Sequence, residues 1–213
     1  MKTEELTVLL ATGAGAVDSR VIERRIATAL GWGVAFALIL MVSLLGARAD
    51  LLQALLLPKF WLKVVFAAAL VAAGLMLLRR LARPGMPIGT AAWWATSPFI
   101  ALWALALFVL SNATTGQRLG LVLGQTWMVC PWLIAMLSVP LLAGMLWALQ
   151  AAAPPRPTLA GAGAGFLSGA VATLVYCIHC PEMEAPFVAV WYFIGIFVPT
   201  IVGAFLGSRL LRW

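Results

Sequence analysis

The chain has 213 residues and a mass of 22.7 kDa; 64% of its residues are hydrophobic, only 10% are charged, and the mean hydropathy is +1.05. A soluble domain is about 45–50% apolar and about 25% charged, so a water-soluble globule is excluded for want of polar surface, and disorder is excluded by the same apolar excess. The net charge of +7 would suggest nucleic acid in a soluble protein. Here Lys and Arg stand mostly at the ends of apolar runs, where they set topology and meet lipid headgroups, so no direct nucleic-acid contact is expected.

The apolar runs are long and rich in Leu and Ala, without the strict alternation of a membrane β-strand. They suit helices, which satisfy their own backbone hydrogen bonds in lipid. Charge-free stretches fall at 26–47, 64–78, 84–117, 119–155, 157–181 and 185–208. A span needs about 20 apolar residues, which predicts six helices centred on about 27–46, 60–79, 91–110, 129–150, 159–178 and 187–208. The second run is short unless Trp61 sits at the interface and Lys63 snorkels outward along its stem. Pro98, Pro140 and Pro199 fall inside helices and should kink them.

Orientation follows from the basic residues. Lys2, Arg20, Arg24, Arg25, Arg79, Arg80, Arg83, Arg156, Arg209 and Arg212 lie on one side, and Arg48, Lys59, Lys63 and Arg118 on the other. The richer side should be cytoplasmic. The expected fold is an all-α integral membrane protein, a six-transmembrane-helix bundle with both termini cytoplasmic. Residues 1–25 form a cytoplasmic N-terminal segment and 26–213 the transmembrane domain. The first run is not read as a signal peptide, because it is too long and lacks an A-x-A site.

In the N-terminal segment, Glu4 and Glu5 suit a helix start. Leu6, Leu9 and Leu10 recur at helical spacing, and Thr12-Gly-Ala-Gly15 breaks the pattern. Two readings stand: an amphipathic segment on the inner leaflet, bound to membrane lipids, or a docking helix offering its leucines to a groove on a soluble partner. The two glutamates, repelled by anionic lipid, favour docking.

Chemistry concentrates elsewhere. The three cysteines are Cys130, Cys177 and Cys180, and the only histidine is His179. Cys130-Pro131 opens the fourth helix, with Pro in a tolerated first-turn position, and Cys177-Ile-His-Cys180-Pro-Glu182 closes the fifth. Those helices are antiparallel neighbours, so all four residues converge at one membrane depth. Buried structural thiols would scatter along the chain. One thiol from each helix can therefore reach disulfide or metal-ligand distance. Two chemistries remain open: Cys130 pairing with Cys180 under redox control on an oxidising side, or a soft site for Cu(I) or another thiophilic metal built from thiolates with His179 and Glu182. No obligatory cofactor is implied. Pro181 excludes a c-type haem site.

Gly161, Gly165 and Gly169, and Gly203 and Gly207, recur at four-residue spacing and read as close packing within the molecule. Trp61, Trp93, Trp94, Trp127, Trp132 and Trp191 read as an interfacial belt. There is no Walker motif, H-E-x-x-H or G-x-S-x-G, so enzyme chemistry is not expected. A quinone-linked thiol-disulfide oxidoreductase normally needs four cysteines. A small metal transporter normally carries mid-membrane charges, which are missing here.

The M-K-T-E-E-L start, P-K-F-W-L-K at the second helix, C-P at the fourth, H-C-P-E at the fifth and F-V-A-V-W-Y in the sixth resemble the NrsF-like anti-sigma factors. The resemblance runs nearly end to end. It implies a multi-pass protein of the bacterial inner membrane that sequesters an extracytoplasmic-function (ECF) sigma factor of the sigma-F type. It further implies release when two periplasmic cysteines, here Cys130 and Cys180, sense heavy metal or oxidative stress; Cys177 lies outside that pattern. The cytoplasmic face, with the N-terminal segment, is implied to bind sigma.

The basic-residue bias predicts that a membrane-impermeant thiol reagent applied to intact cells labels a cysteine placed at 183 and spares one placed in the 80–87 loop. Labelling within 80–87 would invert the topology.

Overall fold

The computed structural model describes Thr3, Glu5, Thr7 and residues 21–83, 86–87 and 89–212. Leu6, Leu9 and Leu10, the leucines expected to dock a partner, lie outside the described residues. Six helices are long and apolar enough to cross a membrane: α1 Val21–Leu45, α3 Pro58–Leu81, α4 Ala91–Asn112, α6 Cys130–Gln150, α7 Pro157–Tyr176 and α8 Ala185–Leu210. Two short helices, α2 Leu51–Ala54 and α5 Thr115–Leu123, stand in the connections at one end. No strand occurs among the described residues.

The predicted spans are present with longer ends. Helix α1 starts six residues before its expected boundary, because Val21-Ile-Glu-Arg-Arg25 is already helical. Pro58, Pro131 and Pro157 each sit in a first turn, where no intrahelical donor is lost. Pro98, Pro140 and Pro199 lie inside α4, α6 and α8 as expected. Helices α1 and α8 each contain one π-helical turn, Met41–Leu45 and Val188–Tyr192. Both turns lie toward the end that carries the cysteines, called here the thiol end. Arg79, Arg80, Arg83, Arg156 and Arg209 mark the opposite, arginine end.

Helix α7 is the axis of the bundle. Gly161, Gly163, Gly165, Gly169 and most of its other residues are buried, and α3, α6 and α8 all pack on it. Its seam with α8 is made of backbone. A Cβ at Gly161 would fall on the Gly203 carbonyl oxygen, one at Gly165 on the Pro199 carbonyl oxygen, and one at Gly207 on the Pro157 carbonyl oxygen. The glycine spacing therefore serves packing inside the molecule. In lipid there is no hydrophobic force between helices, so such close van der Waals packing carries much of the association. Two further contacts tie the arginine end: Arg83 to Glu23 at 2.6 Å, joining α3 to α1, and Arg25 over the Trp147 ring at 5.4 Å, joining α1 to α6.

One expectation about the second span is corrected. Lys63 does not snorkel outward; it is fully buried and turns inward to backbone carbonyls, as described below. Trp61 is half exposed, as an interfacial residue should be. Trp127 and Trp191 are not free belt residues, since their rings meet at 5.3 Å and Trp191 donates to the Val122 carbonyl at 2.8 Å.

A bulkier residue in the glycine seam must push two backbones apart, at a cost of about 1–3 kcal/mol or more for each overpacked site. Gly165→Val and Gly203→Val should lower the detergent-solubilised melting temperature and the amount of inserted protein. Gly31→Ala, with nothing within 4 Å of the new methyl, should leave both unchanged.

Candidate functional site

The 177–184 segment between α7 and α8 gathers the chemistry. It has no regular structure beyond a last turn, in which the His179 and Cys180 N–H groups both donate to the Tyr176 carbonyl at 3.0 Å. Irregular backbone at this depth survives in a membrane only where protein satisfies its polar groups. Here two neighbours, Lys63 and Arg48, do so, and two more, Lys59 and Gln125, hold the segment's carboxylates.

Lys63, from the second turn of α3, donates from Nζ to the Cys180 carbonyl at 2.7 Å and to the Glu182 carbonyl at 3.1 Å. Arg48, in the connection after α1, reaches the same Cys180 carbonyl through a terminal guanidinium nitrogen at 3.3 Å. Its backbone N–H donates to the Ile178 carbonyl at 3.3 Å, and Asp50 holds the guanidinium at 2.6 Å. That pairing lowers the Asp50 carboxyl below the usual carboxylate range, chiefly through the hydrogen bond from Arg48. On the remaining sides, Lys59 pairs with Glu184 at 2.6 Å, and the Gln125 N–H donates to Glu182 Oε1 at 2.7 Å.

Within this frame the structure brings Cys130 and Cys180 together. Both are fully buried free thiols, and their side chains lie next to one another. The neighbouring Cys130 thiol is the main reason the Cys180 thiol sits below the ordinary thiol range. Burial opposes it, while the nearby Lys63 charge, the Tyr192 hydroxyl and the Glu182 N–H add to it. Cys130 reaches this position because it is the first residue of α6, its N–H donating to the Thr126 carbonyl at 3.0 Å.

The other predicted residues stand apart from the pair. Cys177 is buried at the end of α7, and burial pushes its thiol up to about 12. His179 Nδ1 lies 2.9 Å from the Gly46 carbonyl. It thereby ties α7 to the α1 turn, where Gly46 takes a φ of 72°. Glu182 is engaged by Gln125. Among the described residues no three His, Cys, Asp or Glu side chains come close enough to hold a metal. A thiophilic ion would therefore find two sulfurs, from Cys130 and Cys180.

Sequence reasoning did not find Lys63 and Arg48 as part of the site. A weak signal was present: Lys63 is a cation inside an otherwise apolar span. The Tyr192 hydroxyl is a second addition. It is fully buried, has no well-aligned hydrogen-bond partner, and lies beside the Cys180 sulfur.

Six apolar helices among the described residues, all-helical architecture and a buried thiol pair at one end define a polytopic α-helical membrane protein with a thiol site. The chain belongs to the NrsF family, negative regulators of sigma F, whose family model matches residues 10–213. It is 49% identical over 213 residues, with full coverage of both chains, to the probable anti-sigma-F factor NrsF of Azospira oryzae. It is 37% identical over 215 residues, again with full coverage of both, to the anti-sigma-F factor NrsF of Caulobacter vibrioides. No solved structure matches it. Family membership bears out the resemblance read from the sequence motifs and assigns a regulatory role.

Proposed function

We propose that this chain lies in the bacterial inner membrane with its thiol end toward the periplasm. There it holds an ECF sigma factor at its cytoplasmic face and releases it when the Cys130–Cys180 pair is closed by oxidation or by a thiophilic metal. The observation that carries this reading is the adjacency of these two fully buried free thiols, one from each of two neighbouring helices. The orientation rests on the ten-to-four division of Lys and Arg between the two sides.

Either closing chemistry balances. In oxidation the two thiols give up two protons and two electrons as the S–S bond forms, and a peroxide takes both and leaves as two waters. In metal binding each thiol releases its proton to water and the two thiolates share one soft cation such as Cu(I). Because both sulfurs are fully buried, the site admits small agents and requires local opening for larger ones. Signal transmission then depends on differential stability. Closure shifts the protein toward the sigma-releasing arrangement only as far as the two arrangements differ in their affinity for sigma.

Cys130→Ser and Cys180→Ser should each abolish induction of a sigma-dependent reporter by metal or oxidant, and the double variant should match either single one, since a pair acts as one unit. Cys177→Ser should have the smaller effect. Full induction in the double variant would refute the sensor reading.

The N-terminal segment supplies the docking part of the proposal, through Leu6, Leu9 and Leu10. A helix-in-groove contact rests on a few apolar anchors, each worth roughly 1.5–3 kcal/mol when buried. Their combined loss exceeds several factors of ten in affinity. Deleting residues 1–12, or changing the three leucines to Asp, should release sigma and switch its regulon on without inducer. Normal pull-down of sigma by the inserted triple-Asp variant would move docking to the loops around Arg79–Arg83 and Arg156.

A further inference from the structure

The thiol pair and the start of α1, which follows the proposed sigma-docking segment in sequence, lie at opposite ends of the bundle, so the signal needs a part that both ends hold. Helix α3 has a specific polar grip at each. At the thiol end Lys63 grips the backbone of Cys180 and Glu182. At the arginine end Arg83, just past the helix, pairs with Glu23 in the first turn of α1. Helix α1 begins at Val21, directly after the N-terminal segment. Lys63 and Arg83 are separated by about 30 Å of helix at 1.5 Å per residue.

We infer that Lys63 is the positioning residue that couples the thiol pair to helix α3, and through the Arg83–Glu23 pair to the start of α1. The inference rests on the sensor reading above. Its physical basis is the asymmetry of a buried charge. The Lys63 ammonium is fully buried, held by two backbone carbonyls and over the Phe60 ring at 5.5 Å. A surface lysine losing a carbonyl would turn to water at little cost. A buried ammonium losing one leaves an unsatisfied charge, which is among the most expensive changes a fold can undergo. Closing the pair shortens the sulfur–sulfur separation to about 2 Å in a disulfide and draws Cys180 toward α6. Its carbonyl moves with it, and Lys63, with α3 behind it, must follow rather than let go.

Arg48 provides the internal comparison. It bonds the same Cys180 carbonyl but sits in a connection rather than on a spanning helix, so its loss should weaken the site without cutting the path. Arg48 also keeps that carbonyl partnered when Lys63 is replaced, and a methionine at 63 is at home in an apolar core.

The test separates closure of the pair from release of sigma. Full-length Lys63→Met and Arg48→Gln are compared with the unaltered protein in cells exposed to diamide. This diazene takes two electrons and two protons from the thiols and becomes the hydrazine. Closure of Cys130–Cys180 is read by alkylation mass shift, with Cys177→Ser as background, and release by the sigma-dependent reporter. In Lys63→Met the pair should still close while the reporter stays silent, and Arg48→Gln should close and release. Release on closure in Lys63→Met, or release there without diamide, would overturn the inference. So would equal loss of release in both variants, which would mark a general structural role. If Lys63→Met fails to accumulate, amide hydrogen exchange on the unaltered protein decides. Closure should change exchange at residues 79–83, and unchanged exchange there would overturn the coupling. Absence of both closure and release in the unaltered protein would instead refute the sensor reading itself.

Discussion

The thiol end is organised by one buried charge. A lysine ammonium inside a membrane bundle costs several kcal/mol unless hydrogen bonds replace its water. Lys63 obtains them from the Cys180 and Glu182 carbonyls. This requirement draws the 177–184 segment back over α3, and with it fixes where α7 ends and α8 begins. Once the segment is there, Arg48, His179, Lys59 and Gln125 can each reach it from a different connection. Cys180 is thereby held where the first residue of α6 meets it. The thiol contact is a consequence of satisfying the lysine as much as of helix packing.

Below this cap the bundle changes character. Between α7 and α8 the contact is backbone against backbone, and no side chain is available to rearrange at Gly161, Gly165 and Gly203. Packed interiors move between discrete arrangements rather than deforming continuously. A seam this close resists sliding, so α7 and α8 behave as one body. Near the thiol end the two π-helical turns, Met41–Leu45 and Val188–Tyr192, interrupt α1 and α8. Such turns are favoured at functional sites, because each carries a backbone register that can shift at modest cost. The fold thus pairs a rigid axis with an adjustable rim.

Much of this was legible in the sequence because it depends on local pattern. Apolar run length gave the six spans, Cys130-Pro131 gave the start of α6, and the glycine spacing gave the α7–α8 seam. What was not legible depends on partners far along the chain. A lysine six residues into a span turns to water or to protein according to which carbonyls await it, and those of Lys63 are 117 and 119 residues away. His179 and Cys180 are adjacent in sequence, yet the turn that ends α7 sends the imidazole to Gly46 and the thiol to Cys130. Helix α5 had a readable signal in the capping box Thr114-Thr-Gly-Gln117, which is easily passed over inside a connection between long apolar runs.

The composition of the site also narrows what kind of signal suits it. A third sulfur is present in Cys177, buried at the end of α7. The imidazole is spent on a backbone carbonyl and Glu182 on a backbone N–H. Zinc, which takes four ligands in structural sites and three plus water in catalytic ones, is poorly served by such a set. Two sulfurs facing each other suit the two chemistries that need only two: a disulfide, or a soft monovalent ion held between thiolates. Under the proposed function the same two atoms would answer to oxidants and to copper-like metals through one motion, the approach of Cys180 to Cys130. A regulator built this way would respond to both classes of stress without a separate site for either.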